Sequence, residues 1–343
     1  MRSGEGRIEL AAYRLCASVA GVKKIVFSEV GGPEVLRLVE AETPEPGPGE
    51  VRVRHQAIGV NFIDIYHRTG LYPVPLPAGL GLEAAGEIDA VGEGVSGFAL
   101  GDRVAYAGGP LGAYAEARVI DPKHLVRLPA GIASSIAAAT LLKGMTAEYL
   151  IRRTVRVERG DWVLFHAAAG GVGLLACEWL VKLGARVIAT VSTEAKAEVV
   201  RSLGVEHVVL YSKEDFVARS REITDGKGVR VVYDSVGLDT FERSLDCLAL
   251  RGTLVGFGNA SGKPPMMDPM KLAKGSYFLT RATLFHYTAT REELELSSGT
   301  FFQAVLDGLV NVRAPKELPL AQAAEAHRAL AGRETIGSTI LVP

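Results

Sequence analysis

Short runs of alternating apolar and polar positions dominate the chain between residues 22 and 120. Alternation of this kind is typical of half-buried strands. It predicts strands at residues 22–27, 34–39, 50–54, 86–91, 103–105 and 116–120. Glycine-rich turns separate these segments, and a proline-rich stretch at 43–50 interrupts any continuous element. Many short strands joined by such turns indicate a compact, antiparallel, barrel-like unit.

The pattern changes near residue 145, where short apolar strands begin to alternate with helices. After helical residues at 134–151, it predicts strands at 162–166, 186–191, 207–210, 229–234 and 253–257, and helices at 171–183, 194–203, 214–223 and 240–250. Repeated strand–helix–strand units predict a parallel, doubly wound sheet. Beyond residue 284 we expect helices at 291–309 and 320–331 and strands near 311–314 and 338–342, which return to the first unit.

Composition narrows the class of protein. A chain of 343 residues suggests two domains, and Lys plus Arg (38) balances Asp plus Glu (39), which argues against a nucleic-acid-binding protein. No apolar run is long enough to span a membrane, and Arg14 interrupts the apolar stretch that a signal peptide would need. Cys16, Cys177 and Cys247 lie far apart, which predicts free thiols in a reducing compartment. We expect a cytoplasmic protein with an N-terminal extension over residues 1–21.

The strongest local motif joins the predicted strand 162–166 to the helix that follows it. The turn reads Ala-Ala-Ala-Gly-Gly-Val-Gly over residues 167–173, which matches the dinucleotide fingerprint G-x-G-x-x-G with Ala168 in the first position. Gly170 lacks a Cβ, so a pyrophosphate can approach the backbone, and Gly173 lets the helix pack closely on the sheet. The free amides and positive end of the helix face the phosphate.

The end of the next predicted strand bears on the choice of cofactor. An enzyme that uses NAD usually places Asp or Glu there, to accept a hydrogen bond from the ribose 2′-hydroxyl. Here Ser192 and Thr193 follow the strand, and Lys196 lies on the first turn of the next helix, which favours a 2′-phosphate and therefore NADPH. Glu194 is the competing residue, because its carboxylate could turn toward the ribose, and Lys196 could instead be a solvated surface residue.

Several segments together resemble one family. They are residues 61–66 (NFIDIY), 70–73 (GLYP), 79–86 (GLGLEAAG), 101–104 (GDRV), 142–147 (LKGMTA), 166–173 (HAAAGGVG), 232–237 (VYDSVG) and 257–259 (FGN). In this order they resemble the zinc-free, zeta-crystallin-like NADPH:quinone reductases of the medium-chain dehydrogenase/reductase superfamily. The resemblance implies an α/β fold with a GroES-like β-barrel catalytic domain (22–145), a doubly wound, parallel-sheet Rossmann domain (146–283) and a C-terminal return to the catalytic domain (284–343).

The resemblance also implies which residues form the site. Catalytic roles fall to Asn61 and Tyr66. The residues expected to bind the cofactor are Asn61, Tyr66, Thr146, Gly170, Gly171, Val172, Gly173, Ser192, Lys196, Tyr211, Ser235, Val236, Phe257, Gly258, Asn259 and Arg333. Zinc-dependent relatives place Cys where Asn61 stands and His where Leu82 stands, and the chain has no HExxH or CxxC motif, so we expect no metal site.

The implied activity is transfer of reducing equivalents from NADPH to a quinone or another small activated carbonyl, without a metal. Asn61 would orient the nicotinamide or the acceptor oxygen, and Tyr66 would donate a hydrogen bond to developing negative charge, with solvent as the other source of the proton. The alternatives are a zinc-free enone or enoyl reductase of the same architecture and, less favoured, a non-enzymatic protein that binds NADPH or RNA. The family suggests a homodimer, and we expect neither nucleic acid nor membrane as a partner.

Overall fold

The structure is a computed structural model that describes residues 21–343. The predicted extension before residue 21, with Cys16, lies outside the described residues. The first part of the fold contains the strands β1 Gly21–Phe27, β2 Arg37–Glu42 and β3 Val51–Gly59, the helix α1 Phe62–Arg68, and the strands β4 Ala78–Gly79, β5 Glu83–Val91, β6 Arg103–Ala107, β7 Ala117–Ile120 and β8 Val126–Arg127.

The second part begins with a long helix and continues as alternating strands and helices. Its elements are α2 Ser134–Tyr149, which runs into a π-helical turn at Leu150–Thr154, β9 Trp162–Phe165, α3 Gly171–Leu183, β10 Arg186–Val191, α4 Glu194–Arg201, β11 His207–Leu210, α5 Phe216–Ile223, β12 Val229–Asp234, α6 Phe241–Ser244, β13 Leu248–Gly256 and β14 Phe278–Arg281. The chain ends with α7 Leu284–Tyr287, α8 Arg291–Leu306, β15 Lys316–Pro319, α9 Ala323–Ala331 and β16 Thr339–Val342.

The first strands form antiparallel sheets around an apolar core. In β3, inward-facing side chains alternate with exposed ones, as its sequence pattern predicts. This strand pairs antiparallel with β5 and β7, and β5 pairs with β6. The C-terminal strand β16 pairs antiparallel with β3 and parallel with β15, so the end of the chain completes the sheet begun near its start.

The second sheet is parallel throughout, in the order β11-β10-β9-β12-β13-β14. Numbered within the sheet, this is the order 3-2-1-4-5-6 of a doubly wound, dinucleotide-binding fold. Its central strands are buried on both faces, which explains their continuous apolar sequence. The predicted α/β fold class is confirmed. Ligands bind such sheets at the carboxyl ends of the strands, where the order reverses between β9 and β12.

Three secondary-structure predictions are wrong. The second strand begins at Arg37 rather than residue 34, because Pro33–Val35 forms a 3-10 turn. The helix predicted to run to residue 250 gives way to strand at Leu248, where the backbone pairs with β12. Residues 311–314 form no strand, because Asn311 is bound by the Glu178 carboxylate, and pairing with β16 starts at residue 316.

The predicted domain limits remain predictions, and the limit at 145/146 falls inside helix α2. Helix α2 contacts both β3 and β5 of the first part and α3 of the second. None of the helices within residues 21–343 has the length and apolar character needed to cross a membrane.

Candidate active site

A cavity of about 750 Å³ lies between the barrel strands and the carboxyl edge of the parallel sheet. This volume is within the range of roughly 300–1,000 Å³ usual for small-molecule sites. All of the predicted site residues except Asn259 line it. Those residues come from α1, α2, the turn after β9, the carboxyl ends of β10, β11, β12 and β13, and the turn after α9. The fold therefore brings together positions that are far apart in the sequence.

The turn between β9 and α3 forms one wall of the cavity. Ala167 adopts a left-handed backbone conformation (φ 53°), a feature that the motif did not predict. Gly170 caps α3, and the amides at the start of that helix have no partner within it. A Cβ on Gly173 would lie 2.6 Å from the carbonyl oxygens of both Ala167 and Ala168. The geometry therefore requires glycine at 173, as the fingerprint predicts, and the first amides of α3 are available to bind an anion.

The helix that follows β10 carries a cation, Lys196, that forms no salt bridge with any residue in 21–343. Lys196 Nζ lies 3.4 Å from Ser192 Oγ and donates to the Arg333 carbonyl at 2.6 Å. Burial, and secondarily the Arg333 charge, lower the pKa of Lys196. Glu194 pairs instead with Arg201 and does not line the cavity. The position that Glu194 would need to contact a ribose is thus occupied by hydroxyl and ammonium groups, an arrangement that suits a phosphate.

Asn61 lies at the opposite end of the cavity and is held from two sides. Its backbone N–H donates to Asp64 Oδ2 at 2.8 Å, and its side-chain Nδ2 donates to Glu83 Oε2 at 2.7 Å. Glu83 is completely buried; its Oε1 accepts from the Leu142 N–H at 2.6 Å, and its Oε2 lies 3.5 Å from Lys143 Nζ. Burial raises the pKa of Glu83, and the Lys143 charge opposes that rise. One carboxylate therefore ties α1, β5 and α2 together beneath the site.

A buried polar chain supports the start of α1 from behind. Tyr114 donates to Asp64 Oδ2 at 2.9 Å and lies 3.1 Å from His327 Nε2, while Arg68 lies 3.2 Å from His327 Nδ1. Burial raises the pKa of Asp64 to about 7, and burial together with the Arg68 charge lowers the pKa of His327 to about 3. The neutral imidazole thus accepts from Arg68 and donates to Tyr114, and this chain fixes the residue that holds the Asn61 backbone.

The hydroxyl of Tyr66 has a defined partner. Its oxygen accepts from the Asn259 N–H at 2.8 Å, which leaves its proton available to a ligand in the cavity. Burial raises the pKa of Tyr66 to about 12, so the phenol stays protonated at neutral pH. Asn259 does not line the cavity and acts through this contact. The Thr146 hydroxyl donates to the Leu142 carbonyl at 2.7 Å and presents its oxygen to the site.

Further residues that were not predicted as site residues also line the cavity, among them Tyr72, Lys143, Tyr149 and Arg281. Tyr149 stacks on Tyr287 with ring centroids 4.4 Å apart. Lys143 lies within the segment 142–147 that carries the family resemblance, and Arg281 ends a strand at the ligand-binding edge of the sheet. These two positions in the sequence could have indicated that both residues line the site. Within residues 21–343, His, Cys, Asp and Glu side chains form no group of three that could hold a metal ion.

Comparison with known proteins places this architecture in a family. Residues 47–130 match the alcohol dehydrogenase GroES-like domain, and residues 171–298 match the family described as zinc-binding dehydrogenase. A quinone oxidoreductase of Pseudomonas aeruginosa is 51% identical, over 94% of this chain and 99% of the relative. The chain belongs to the zinc-free quinone oxidoreductases of the medium-chain dehydrogenase/reductase superfamily. The resemblance seen in the sequence is confirmed.

Two more members of the superfamily are informative. A solved structure of the Escherichia coli quinone oxidoreductase complexed with NADPH has a TM-score of 0.91 and 48% identity, and the match covers 94% of this chain and 100% of that chain. A 2-haloacrylate reductase from a Burkholderia species is 45% identical, over 94% of this chain and 99% of the relative. Quinone oxidoreductases and a 2-haloacrylate reductase therefore share similar levels of sequence identity with this chain.

Proposed function

We propose that this protein is an NADPH-dependent quinone reductase that works without a metal. The observation that carries the proposal is one continuous cavity lined by the glycine turn 170–173 and Lys196 as well as by Asn61 and Tyr66. The cavity fits the cofactor: the amides at the start of α3 and the Lys196 ammonium group, which has no carboxylate partner in the described part of the chain, suit its phosphates. A Cβ on Gly258 would lie 2.6 Å from the Ser235 carbonyl oxygen, so that wall is also restricted to glycine.

Each part of the cavity has a proposed task. The Gly170–Gly173 turn would hold the pyrophosphate, and Ser192, Lys196 and Tyr211 would hold the adenosine 2′-phosphate. Ser235, Val236, Phe257, Gly258 and Arg333 line the path between the sheet edge and the barrel. When bound, NADPH supplies the reducing equivalents through its nicotinamide C4.

The chain's own contribution is to position the reactants and to donate a hydrogen bond. Hydrogen bonds to Glu83 and Asp64 hold Asn61 in one orientation. Its side-chain amide would therefore contact the nicotinamide ring or the acceptor oxygen from a fixed position. Tyr66 stays protonated and donates to the oxygen on which negative charge develops, while solvent supplies the remaining proton. A quinone is already electrophilic, so this hydrogen bond and an oriented contact with the nicotinamide provide the stabilisation that the reaction needs.

Steady-state assays with a panel of acceptors test this function. NADPH oxidation is followed with several quinones, with cyclic enones and with 2-chloroacrylate, each before and after treatment with a chelator. We expect quinones to give the highest kcat/KM and the chelator to have no effect. Turnover of the alkenes alone would replace the proposal with an enone reductase, the alternative that the similarity to the 2-haloacrylate reductase favours.

Lys196 should set the preference between the two nicotinamide cofactors. A charge-assisted hydrogen bond contributes about 1.5–3 kcal/mol, and the partial exposure of this residue favours the lower end, so Lys196→Ala should raise KM for NADPH about 10-fold. KM for NADH, which lacks the 2′-phosphate, should change about 2-fold or less. The measurement is the KM ratio at one ionic strength, and equal rises for both cofactors would remove Lys196 from the phosphate site.

The edge of the parallel sheet supports the proposed homodimer. Strand β14 has no partner on its outer side within the described residues, and Phe278 on it is 60% exposed. Leu250, Met266 and Met270 are exposed as well. An unpaired apolar edge favours pairing with a second copy across a two-fold axis. We expect light scattering to give the mass of two chains, and Phe278→Glu to shift it toward one; a monomeric wild type would contradict the assignment.

The described cysteines are consistent with a cytoplasmic location. Cys177 and Cys247 are both free and buried, and burial raises the pKa of each thiol. Unpaired, protonated thiols are usual in proteins of reducing compartments. We therefore propose that the protein acts in the cytoplasm.

A further inference from the structure

Two cations that line the cavity have no carboxylate partner among the described residues. Lys143 pairs with Glu83 and Arg243 with Asp215, and Arg333 lies 4.0 Å from Asp239. The other two are Lys196, which follows β10, and Arg281, which ends β14. The proposed function assigns Lys196 to the 2′-phosphate and leaves Arg281 without a role.

Arg281 is too far from Lys196 to bind the same anion. Strands β9, β12 and β13 lie between β10 and β14 in the sheet. At a spacing of about 4.8 Å between neighbouring strands, the two strand ends are about 19 Å apart. Arg281 therefore belongs to the end of the cavity where the acceptor would bind.

The contacts of Arg281 place its guanidinium beside the proposed hydrogen-bond donor. Nη2 lies 3.4 Å from the Tyr72 hydroxyl and donates to the Asn259 side-chain oxygen at 3.2 Å, in the amide orientation that gives both ends of Asn259 a partner. Asn259 donates its backbone N–H to Tyr66, and the rings of Tyr66 and Tyr72 meet edge to face at 5.2 Å. The positive charge also opposes the rise in the pKa of Tyr66.

We propose that Arg281 determines acceptor specificity by binding an anionic substituent, a carboxylate or sulfonate, on a quinone or an activated alkene. A guanidinium presents a planar fork of donors that matches either oxyanion group. Neutral quinones remain substrates, because the exposed Arg281 side chain is hydrated and needs no counterion. This inference rests on the proposed reductase function and names the class of acceptor that it favours.

Paired quinones separate anion recognition from catalysis. The kcat/KM values for 1,4-naphthoquinone-2-sulfonate and neutral 2-methyl-1,4-naphthoquinone are measured for the wild type, Arg281→Gln and Arg281→Lys. The ratio of sulfonate to neutral should fall about 10-fold in Arg281→Gln, as for one exposed charge-assisted contact, and about 3-fold or less in Arg281→Lys. Lys182→Gln, which removes the same charge from an exposed site outside the cavity, should leave the ratio unchanged.

A second readout uses simple inhibitors in place of a substituted quinone. Benzoate should inhibit competitively against the acceptor, and its inhibition constant should rise about 10-fold in Arg281→Gln, whereas that of neutral benzamide should not change. Benzoate inhibition should also weaken as ionic strength rises.

The outcomes distinguish the two claims. Equal losses for the sulfonated and neutral quinones in Arg281→Gln would overturn the inference, because they indicate a structural role. If the wild type and Arg281→Gln reduce both quinones with the same ratio of sulfonate to neutral kcat/KM, the inference is also overturned. The reductase function would then stand. Failure of the wild type to reduce either quinone would remove the proposed function and the inference with it.

Discussion

Replacing Glu83 with alanine should lower the free energy of unfolding by about 3–5 kcal/mol, because breaking a buried ion pair leaves its partner charge unpaired in the interior. Lys143 would lose its counterion, and the Asn61 amide and the Leu142 N–H would lose their acceptor. Urea denaturation measures the change. Glu87→Ala is the matched control: it lies on the same strand with an exposed side chain and should shift stability by about 0.5 kcal/mol or less.

A second variant tests the physical reason for that loss. If the unpaired Lys143 charge is the cause, adding Lys143→Met to Glu83→Ala should recover about 1–3 kcal/mol, because the double variant no longer buries a lone cation. In Glu83→Gln, whose side chain keeps its size, kcat should fall because Asn61 is no longer held by a charge. If Glu83→Ala lowered the free energy of unfolding by less than about 1 kcal/mol, the Glu83 carboxylate would not be what holds α1, β5 and α2 together.

Replacing Gly173 with alanine should reduce NADPH affinity by about 10- to 100-fold and lower stability by about 1–3 kcal/mol. The added Cβ would meet two backbone carbonyl oxygens at 2.6 Å, so α3 must move away from the turn that holds the pyrophosphate. Fluorescence titration with NADPH and thermal unfolding measure the two effects.

The chain offers a matched glycine as the control. Gly299 lies in α8, and a Cβ there would meet nothing within 4 Å. Gly299→Ala should therefore stabilise the protein by about 0.5–1 kcal/mol and leave NADPH binding unchanged. If Gly173→Ala bound NADPH as the wild type does, the turn would not be the pyrophosphate site.

Much of the parallel sheet could be predicted from sequence because its signals are local. The bounds of α3, β10, β11 and β12 are those predicted, since continuous apolar strands alternate with helices that glycine closes, as Gly184 does after α3 with φ 82°. The predictions failed where a tertiary contact decides the backbone. Asn311 is one case, because its partner Glu178 lies on a distant helix and no local pattern announces it.

The candidate site divides in the same way. The turn at Gly170–Gly173 and the cation Lys196 follow from spacing after a strand, which sequence shows directly. The support beneath Asn61 could not be predicted, because Glu83 and Lys143 reach it only through the packing of β5 and α2. Arg281 was missed for a related reason: its neighbours Tyr72 and Asn259 come from a distant loop and from the turn after β13.

The central claim is that NADPH lies along this cavity with its ring facing a pocket that admits a quinone. One titration tests it: chelator-treated protein is titrated with NADPH while nicotinamide fluorescence is followed, and a quinone is then added to the same sample. We predict saturation at one NADPH per chain, followed by loss of the fluorescence when the quinone is added. Failure to saturate, or a signal that persists after the quinone is added, would contradict the account.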